Sequence, residues 1–485
     1  MDLRTSHAET ADAGRLRSRG GHNGGKLGSL AAVDGVARVS APAAVCGALL
    51  LPPGDARAPR WVARLSLPNP AYVAWLRHGR GRSPVQTVSP IVIQTGGPWK
   101  GGAAVPRMAP DAGEGADRMV APLAEPVALA ATLRPYQVAA VAAAAAAGGG
   151  LIVAPTGSGK TVIGCALMAH HETPALILVH TRDLADQWVE RVRDFLNVEA
   201  EIVGYGKPAP SVGARVVIAS MQTVGRWDWW DVHQWGQRFG LVIVDEAHHG
   251  PCVTYLRILA GLPGRHRYGL TATPDRADGL TPWMHWTIGP VVAEVDHREI
   301  EAAGAVLRPR IRWWHAPPVD LEGMEPHERA AALADDDGRN GGLMAEARIL
   351  VAEGHVVLLL VRLVEHARRI ADGLAVAGCD AVALVGDVKP AARAEIIDRM
   401  RAGRVQVVVA TSLADEGLDV PRLDAVIMTE PSRNVGRVLQ RIGRVLRPHP
   451  DGRPPIVVDV VDPFGPYLGA AKAREATYRG RGWLS

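Results

Sequence analysis

The chain has 485 residues, 47% of them hydrophobic and 21% charged, with a mean hydropathy of +0.03. That is enough apolar material for about three domains, and it excludes a collagen, a wholly disordered chain and a disulfide-stapled miniprotein. The net charge of +4 is unevenly spread: from Ser432 onward ten Lys or Arg face four Asp or Glu, which suits either a phosphate-tracking surface or a solvated helix face.

Residues 1–125 are rich in Gly, Ala, Arg and Pro. The first forty read as a flexible tail, and the first thirty lack the apolar core of a signal peptide. Short apolar groups such as 71–76 allow a small accessory domain, through which protein partners can attach. The four cysteines, Cys46, Cys165, Cys252 and Cys379, stand 87 or more residues apart. No zinc spacing or secreted framework is visible, so a cytoplasmic setting is expected. The uncharged stretch Val138–Pro155 is mostly Ala and is interrupted by Gly148, Gly149 and Gly150. It reads as a helix followed by a buried strand, and no membrane partner is expected.

From about Thr132 short apolar runs alternate with helical patterns: 151–153, 175–179, 215–219 and 241–244. They resume at 356–361, 405–410, 425–428 and 456–461. Runs of three to six residues separated by helix-length segments predict parallel sheets covered on both faces. The expected organisation is an α/β protein with two tandem lobes, residues 126–295 and 346–485. A partly helical, mobile linker over 296–345 joins them, and the N-terminal region over 1–125 is poorly defined. Of the thirteen tryptophans, the cluster Trp227, Trp229, Trp230 and Trp235 is expected to pack in a core or between lobes; base stacking is the alternative.

Ala154 to Thr161 reads Ala-Pro-Thr-Gly-Ser-Gly-Lys-Thr between a strand and an apolar helix. Glycines let successive amides point inward, and the helix start adds positive potential. Pro155, Thr156, Gly157, Ser158 and Gly159 thus form a phosphate cradle. Lys160 reaches the β- and γ-phosphates of ATP, and the Thr161 hydroxyl is a Mg²⁺ ligand. Asp245-Glu246-Ala247-His248 follows the run 241–244. Asp245 suits a Mg²⁺ ligand and Glu246 a base for the attacking water. Arg441, Arg444 and Arg447 are spaced by three, so the latter two can share a helix face and converge on one phosphate.

These residues, with others in the same order, resemble a superfamily 2 helicase of the DEAD/DEAH group, in the branch of XPB-like and restriction-motor-like DNA translocases. The resemblance covers about 130–462. Leu133–Gln137 is similar to the Q motif, which implies Gln137 as an adenine reader. Segments 180–188 and 219–223 are similar to motifs that touch the nucleic-acid backbone, implying Thr181, Arg182 and Thr223. Segment 269–280 is similar to motif III, implying Thr271 and Thr273 as coupling residues with His248. Segments 410–421 and 440–447 are similar to motifs V and VI. They imply nucleic-acid contacts at Thr411 and Ser412 and nucleotide contacts at Gly417 and Asp419. Gln440, Arg444 and Arg447 then complete the catalytic set, with the two arginines as fingers.

The resemblance implies two RecA-like lobes with ATP between them, and DNA (single-stranded, duplex or forked) as partner. RNA remains an alternative, as does a subunit that translocates on duplex without unwinding; intact Lys160, Glu246 and Arg444 disfavour a silent nucleic-acid clamp. Glu416 stands where DEAD-box RNA helicases commonly carry Arg, motif II ends in His, and motif Ia reads His-Thr-Arg. These departures lean toward DNA.

Overall fold

A computed structural model describes residues 125–206, 213–249, 253–273, 279–411, 423–429, 438, 442–443 and 453–484, with strand backbones at intervals between 43 and 106. Residues 41–485 form one compact unit; a second unit, Met1–Ser40, lies outside the described residues.

The N-terminal strands are β1 (Ala43–Ala44), β2 (Ala48–Leu51), β3 (Leu67–Pro68), β4 (Thr87–Val88), β5 (Val92–Ile93) and β6 (Ala103–Pro106). Four of them form an antiparallel sheet in the order β1-β2-β6-β5, and β3 pairs with β4.

The first lobe is a seven-stranded parallel sheet in the order β13-β7-β12-β11-β8-β10-β9. Its strands are β7 (Gly149–Val153), β8 (Ala175–Val179), β9 (Glu201–Val203), β10 (Val216–Ser220), β11 (Leu241–Val244), β12 (His266–Thr271) and β13 (Val291–Glu294). Strands β8, β10 and β11 are buried along their whole length, as unbroken apolar runs demand when helices cover both faces. Those helices are α1 (Pro135–Ala147), α2 (Lys160–His171), α3 (Arg182–Leu196), α4 (Met221–Val224), α5 (Trp229–Gly236), α6 (Val253–Gly261) and α7 (Thr281–Thr287).

Helix α3 shows the local logic. Thr181 caps it by accepting a hydrogen bond from the Leu184 amide at 3.3 Å, and Ala185, Trp188, Val192 and Leu196 form its buried face. Asn197 closes it at φ +52°, a conformation Asn tolerates. Arg267, the second residue of β12, is fully buried and donates to the carbonyls of Leu259, Leu262 and Thr287 at 2.7–2.9 Å. One guanidinium thereby gathers the carbonyl ends of α6 and α7, where the helix dipoles are negative. Trp229 is buried, and Trp227, Trp230 and Trp235 pack against the same hydrophobic cluster, so this group packs within the lobe. The N-terminal antiparallel sheet lies against α6.

The second lobe is a six-stranded parallel sheet in the order β14-β19-β18-β15-β17-β16. It comprises β14 (Arg310–His315), β15 (Val357–Leu360), β16 (Ala381–Leu384), β17 (Val407–Ala410), β18 (Ala425–Met428) and β19 (Ile456–Val461). Between the sheets lies α8 (His297–Ala302). The remaining helices are α9 (Pro326–Asp335), α10 (Asp337–Ala352), α11 (Val364–Val376), α12 (Pro390–Arg401) and α13 (Gly465–Gly480). Arg339 of α10 is buried and binds both oxygens of Asp462 and the carbonyl of Thr429, knitting α10 to the ends of β18 and β19.

Here the structure corrects the expected linker over 296–345. Arg310–His315 is an edge strand in register with Ile456–Val461, and Asp336 caps α10 through the Arg339 amide at 2.6 Å. An edge strand is buried on fewer sides, so it reads Arg-Ile-Arg-Trp-Trp-His without the apolar run that marks its neighbours. Trp313 packs beside Tyr478 of α13, and Trp314 covers Gly342 of α10. Only about Val295–Pro309, containing α8, connects the two sheets. One hydrophobic cluster runs from the first lobe through Ile300, Ala305 and Val306 to Tyr478 and Trp483 of the second.

Candidate active site

Strand β7 ends at Val153, and the Ala154 amide donates to Thr271 O at 2.8 Å, fixing the loop to the end of β12. Gly157 (φ +86°) and Gly159 (φ +81°) then take left-handed conformations that turn the backbone into a cradle closing at the start of α2. The loop is held from below. Gln137 donates to Ser158 O at 2.8 Å and accepts from the Arg134 amide at 2.9 Å, and the Tyr136 hydroxyl donates to Ser158 O at 3.1 Å. Gln137 therefore braces the cradle in this structure. Ser158 Oγ is buried and has no hydrogen-bond partner among the described residues, an orphan that phosphate oxygens above the loop are able to satisfy.

Lys160 Nζ lies 3.4 Å from Ala154 O and 3.7 Å from Glu246 Oε1. The lysine of the cradle and the acid after β11 thus face one another. Asp245, at the end of β11, is buried, with one oxygen taking the Trp188 indole N–H at 2.8 Å and the other the Glu246 amide at 3.0 Å. Burial, followed by the charge of Glu246, pushes its carboxyl up to about 6, against the opposing pull of Trp188 and Lys160. Glu246 sits at φ +47°, a strained conformation for a residue with a side chain.

Next to it, His248 Nδ1 is 2.9 Å from Thr271 Oγ1, whose hydroxyl donates to Thr273 O at 2.8 Å. Nδ1 is therefore the donor in that pair, and His248 also lies 3.5 Å from Glu246. His248, Thr271 and Thr273 form one continuous hydrogen-bonded step from β11 to the end of β12.

The donor set fits a Mg²⁺ ion. Among the described residues no group of three or more His, Cys, Asp or Glu is placed to hold a metal. One buried carboxylate and the Thr161 hydroxyl match a cation that keeps waters and phosphate oxygens as its other ligands.

The other expected residues divide in two. Thr181, Arg182 and Thr223 lie just beyond the carboxyl ends of β8 and β10, and Thr411 just beyond β17, the edge where open α/β sheets bind ligands. Gln222 donates to His180 O at 2.8 Å and so joins the first two segments. Thr411 Oγ1 is buried without a hydrogen-bond partner among the described residues. Ser412, Gly417, Asp419, Gln440, Arg444 and Arg447 lie outside the described residues.

Their neighbour Gly443 is described, and it touches the cradle: a Cβ built there would come within 2.5 Å of Thr156 Cβ. Val306 crowds Gly157 from the connecting segment in the same way, at 2.6 Å. A second bridge between lobes joins Arg393 of α12 to Asp183 of α3 at 2.6 Å. Sequence reasoning missed Trp188, Tyr136, Val306 and the Asp183–Arg393 pair as parts of the site. Trp188 is in phase with Ala185 and Val192 on the buried face, so its pattern announces core; nothing in the pattern reveals where its N–H points.

Two parallel-sheet lobes with a phosphate cradle on the first, pressed by the second, define a two-lobed RecA-like nucleotide-binding protein. Residues 130–276 match the family described as type III restriction enzyme, res subunit, and residues 343–449 match the helicase conserved C-terminal domain. These two matches and the XPB and Rad25 relatives below support a superfamily 2 helicase of the XPB-like, restriction-motor-like branch.

The chain is 30% identical to the DNA 3'-5' helicase XPB of Kineococcus radiotolerans over 66% of this chain and 58% of that one. It is 26% identical to the DNA 3'-5' translocase XPB2 of Sulfurisphaera tokodaii over 65% and 78%. The chain spans about half the length of two haloarchaeal Rad25 relatives, 51% and 52%. Among solved structures, S. cerevisiae Dbp5 bound to RNA and ADP BeF3 shares the fold with a TM-score of 0.54 at 17% identity, over 74% of this chain and 89% of that one. Among the described residues no helix is long and apolar enough to cross a membrane.

Proposed function

We propose that the chain is an ATP-dependent DNA motor that hydrolyses ATP between its lobes to move along or unwind nucleic acid. The observation that carries this reading is the meeting of Lys160 and Glu246 at 3.7 Å beside the buried Asp245. The cradle amides and Lys160 hold the phosphates, and Glu246 takes the proton of the attacking water. Asp245 and Thr161 would hold a Mg²⁺ ion, which would supply positive charge beside the bound phosphates. Arg444 and Arg447, with Gln440, enter from the second lobe on closure, while Gly417 and Asp419 meet the sugar side of the nucleotide. Thr181, Arg182, Thr223, Thr411 and Ser412 follow the nucleic-acid backbone, so binding depends on salt more than on sequence.

The test is turnover measured with single-stranded, duplex and forked DNA and with RNA. Stimulation by DNA well above that by RNA supports the reading, and absence of nucleotide hydrolysis with every substrate rejects it. The match of 130–276 to a restriction-enzyme motor family favours a second reading, translocation on duplex without strand separation. Triplex displacement without fork unwinding identifies it.

A further inference from the structure

Trp188 lies on α3, seven residues beyond the cap Thr181, and is 1% exposed. Its indole makes two contacts that the packing of a core tryptophan does not require. The N–H donates to Asp245 Oδ2 at 2.8 Å. The far edge of the ring lies over α2, where a Cβ built on Gly164 would come within 2.6 Å of Cη2. The ring therefore occupies space that only a glycine in the helix following the cradle leaves free.

An indole N–H donates and never accepts, so it favours Asp245 as an acceptor. With the Glu246 amide on the other oxygen at 3.0 Å, both carboxylate oxygens are fixed, and the remaining lone pairs have set directions. Along α3 in the other direction, Asp183 holds Arg393 of the second lobe, about 7.5 Å up the axis at 1.5 Å per residue.

We propose that Trp188 is a positioning residue: it sets the orientation of the cation-binding carboxylate Asp245 and ties that orientation to α3, the helix whose start faces the nucleic acid and the second lobe. The proposal rests on the motor reading above. A displacement of α3 on nucleic-acid binding or lobe closure moves the indole, and the indole carries Asp245 with it. Outer partners of metal ligands typically change metal affinity 10- to 100-fold when removed, and a buried N–H is a partner of that kind.

The experiment uses the full chain and two readouts: ADP affinity titrated with and without Mg²⁺, and the ratio of DNA-stimulated to basal ATP turnover. Trp188→Phe keeps most of the ring and loses the N–H. It is expected to leave Mg²⁺-free ADP affinity within twofold of wild type, weaken Mg²⁺ affinity so that about tenfold more Mg²⁺ is required, and reduce the stimulation ratio. Gly164→Ala pushes the ring from the other side and is expected to do the same with the indole present.

Val192→Ala, one turn further along the same buried face, measures the effect of loosening α3 alone. It should lower Tm and leave the Mg²⁺ requirement unchanged. Two results overturn the proposal: a folded Trp188→Phe protein with wild-type Mg²⁺ dependence and stimulation, or Val192→Ala shifting both readouts as far as Trp188→Phe. A wild-type chain that binds Mg²⁺·ADP but never hydrolyses ATP rejects the motor reading instead, and the Mg²⁺ titration still decides the role of Trp188.

Discussion

In the proposed site, burial and cation binding pull the Asp245 proton in opposite directions. The carboxyl titrates near 6, above the ordinary 3.8, so the folded chain keeps this proton at pH values where the unfolded chain has released it. The group's contribution to stability is therefore full below about 3.8 and is lost as pH rises through about 6. Cation binding needs the ionised form and runs the other way: Mg²⁺-dependent nucleotide affinity should fall by up to about tenfold per pH unit below about 6, as read by titration calorimetry. Lys160→Ala should remove turnover altogether, and Glu246→Gln should remove turnover while retaining nucleotide binding. Retained hydrolysis in either variant would contradict the assignment. At this scale the sequence was informative about identity and silent about aim. The proposed roles of Lys160, Thr161, Asp245 and Glu246 rest on motif spacing, and the structure brings Lys160 and Glu246 to 3.7 Å of one another. The Trp188 N–H and the bracing by Gln137 depend on rotamers that no residue pattern encodes.

Among the elements, strands were legible where burial on both faces forces unbroken apolar runs, as in 175–179 and 241–244. They were illegible where it does not. β14 escaped because an edge strand keeps its arginines, and Asp335-Asp336-Asp337 reads as a mobile run although Asp336 caps a helix. Arg267 gives a prediction of its own at this level. Arg267→Leu strips a charged donor from three buried carbonyls at the ends of α6 and α7. Chemical denaturation should show a loss of about 3 kcal/mol or more, while nucleotide affinity of the folded fraction is kept. The Asp183–Arg393 bridge is half-shielded, with side chains 34% and 19% exposed. A double-mutant cycle with alanine at each position should give a coupling of about 0.5–1 kcal/mol. A coupling near zero would mean that α3 and α12 are not joined in solution.

For the whole molecule, the connection between lobes is doubled. The chain crosses once through α8, and its C-terminal end returns to the same helix, where Trp483 Nε1 donates to Glu301 at 3.0 Å and stacks edge-on to His297. Removing residues 481–485 should therefore leave both sheets intact yet speed proteolytic cleavage around 303–309, read by limited digestion. The placement of β14 beside β19 also decides how the protein can be divided. Severed near Ala305, each half keeps a complete set of strands and suits separate expression and reassembly from two genes. Severed at 345, the downstream half gives up β14, and Ile-Val-Val-Asp-Val-Val becomes a bare margin whose amides are open to another copy of itself. Such a truncated piece should precipitate as stacked fibrous aggregate instead of folding as a soluble half.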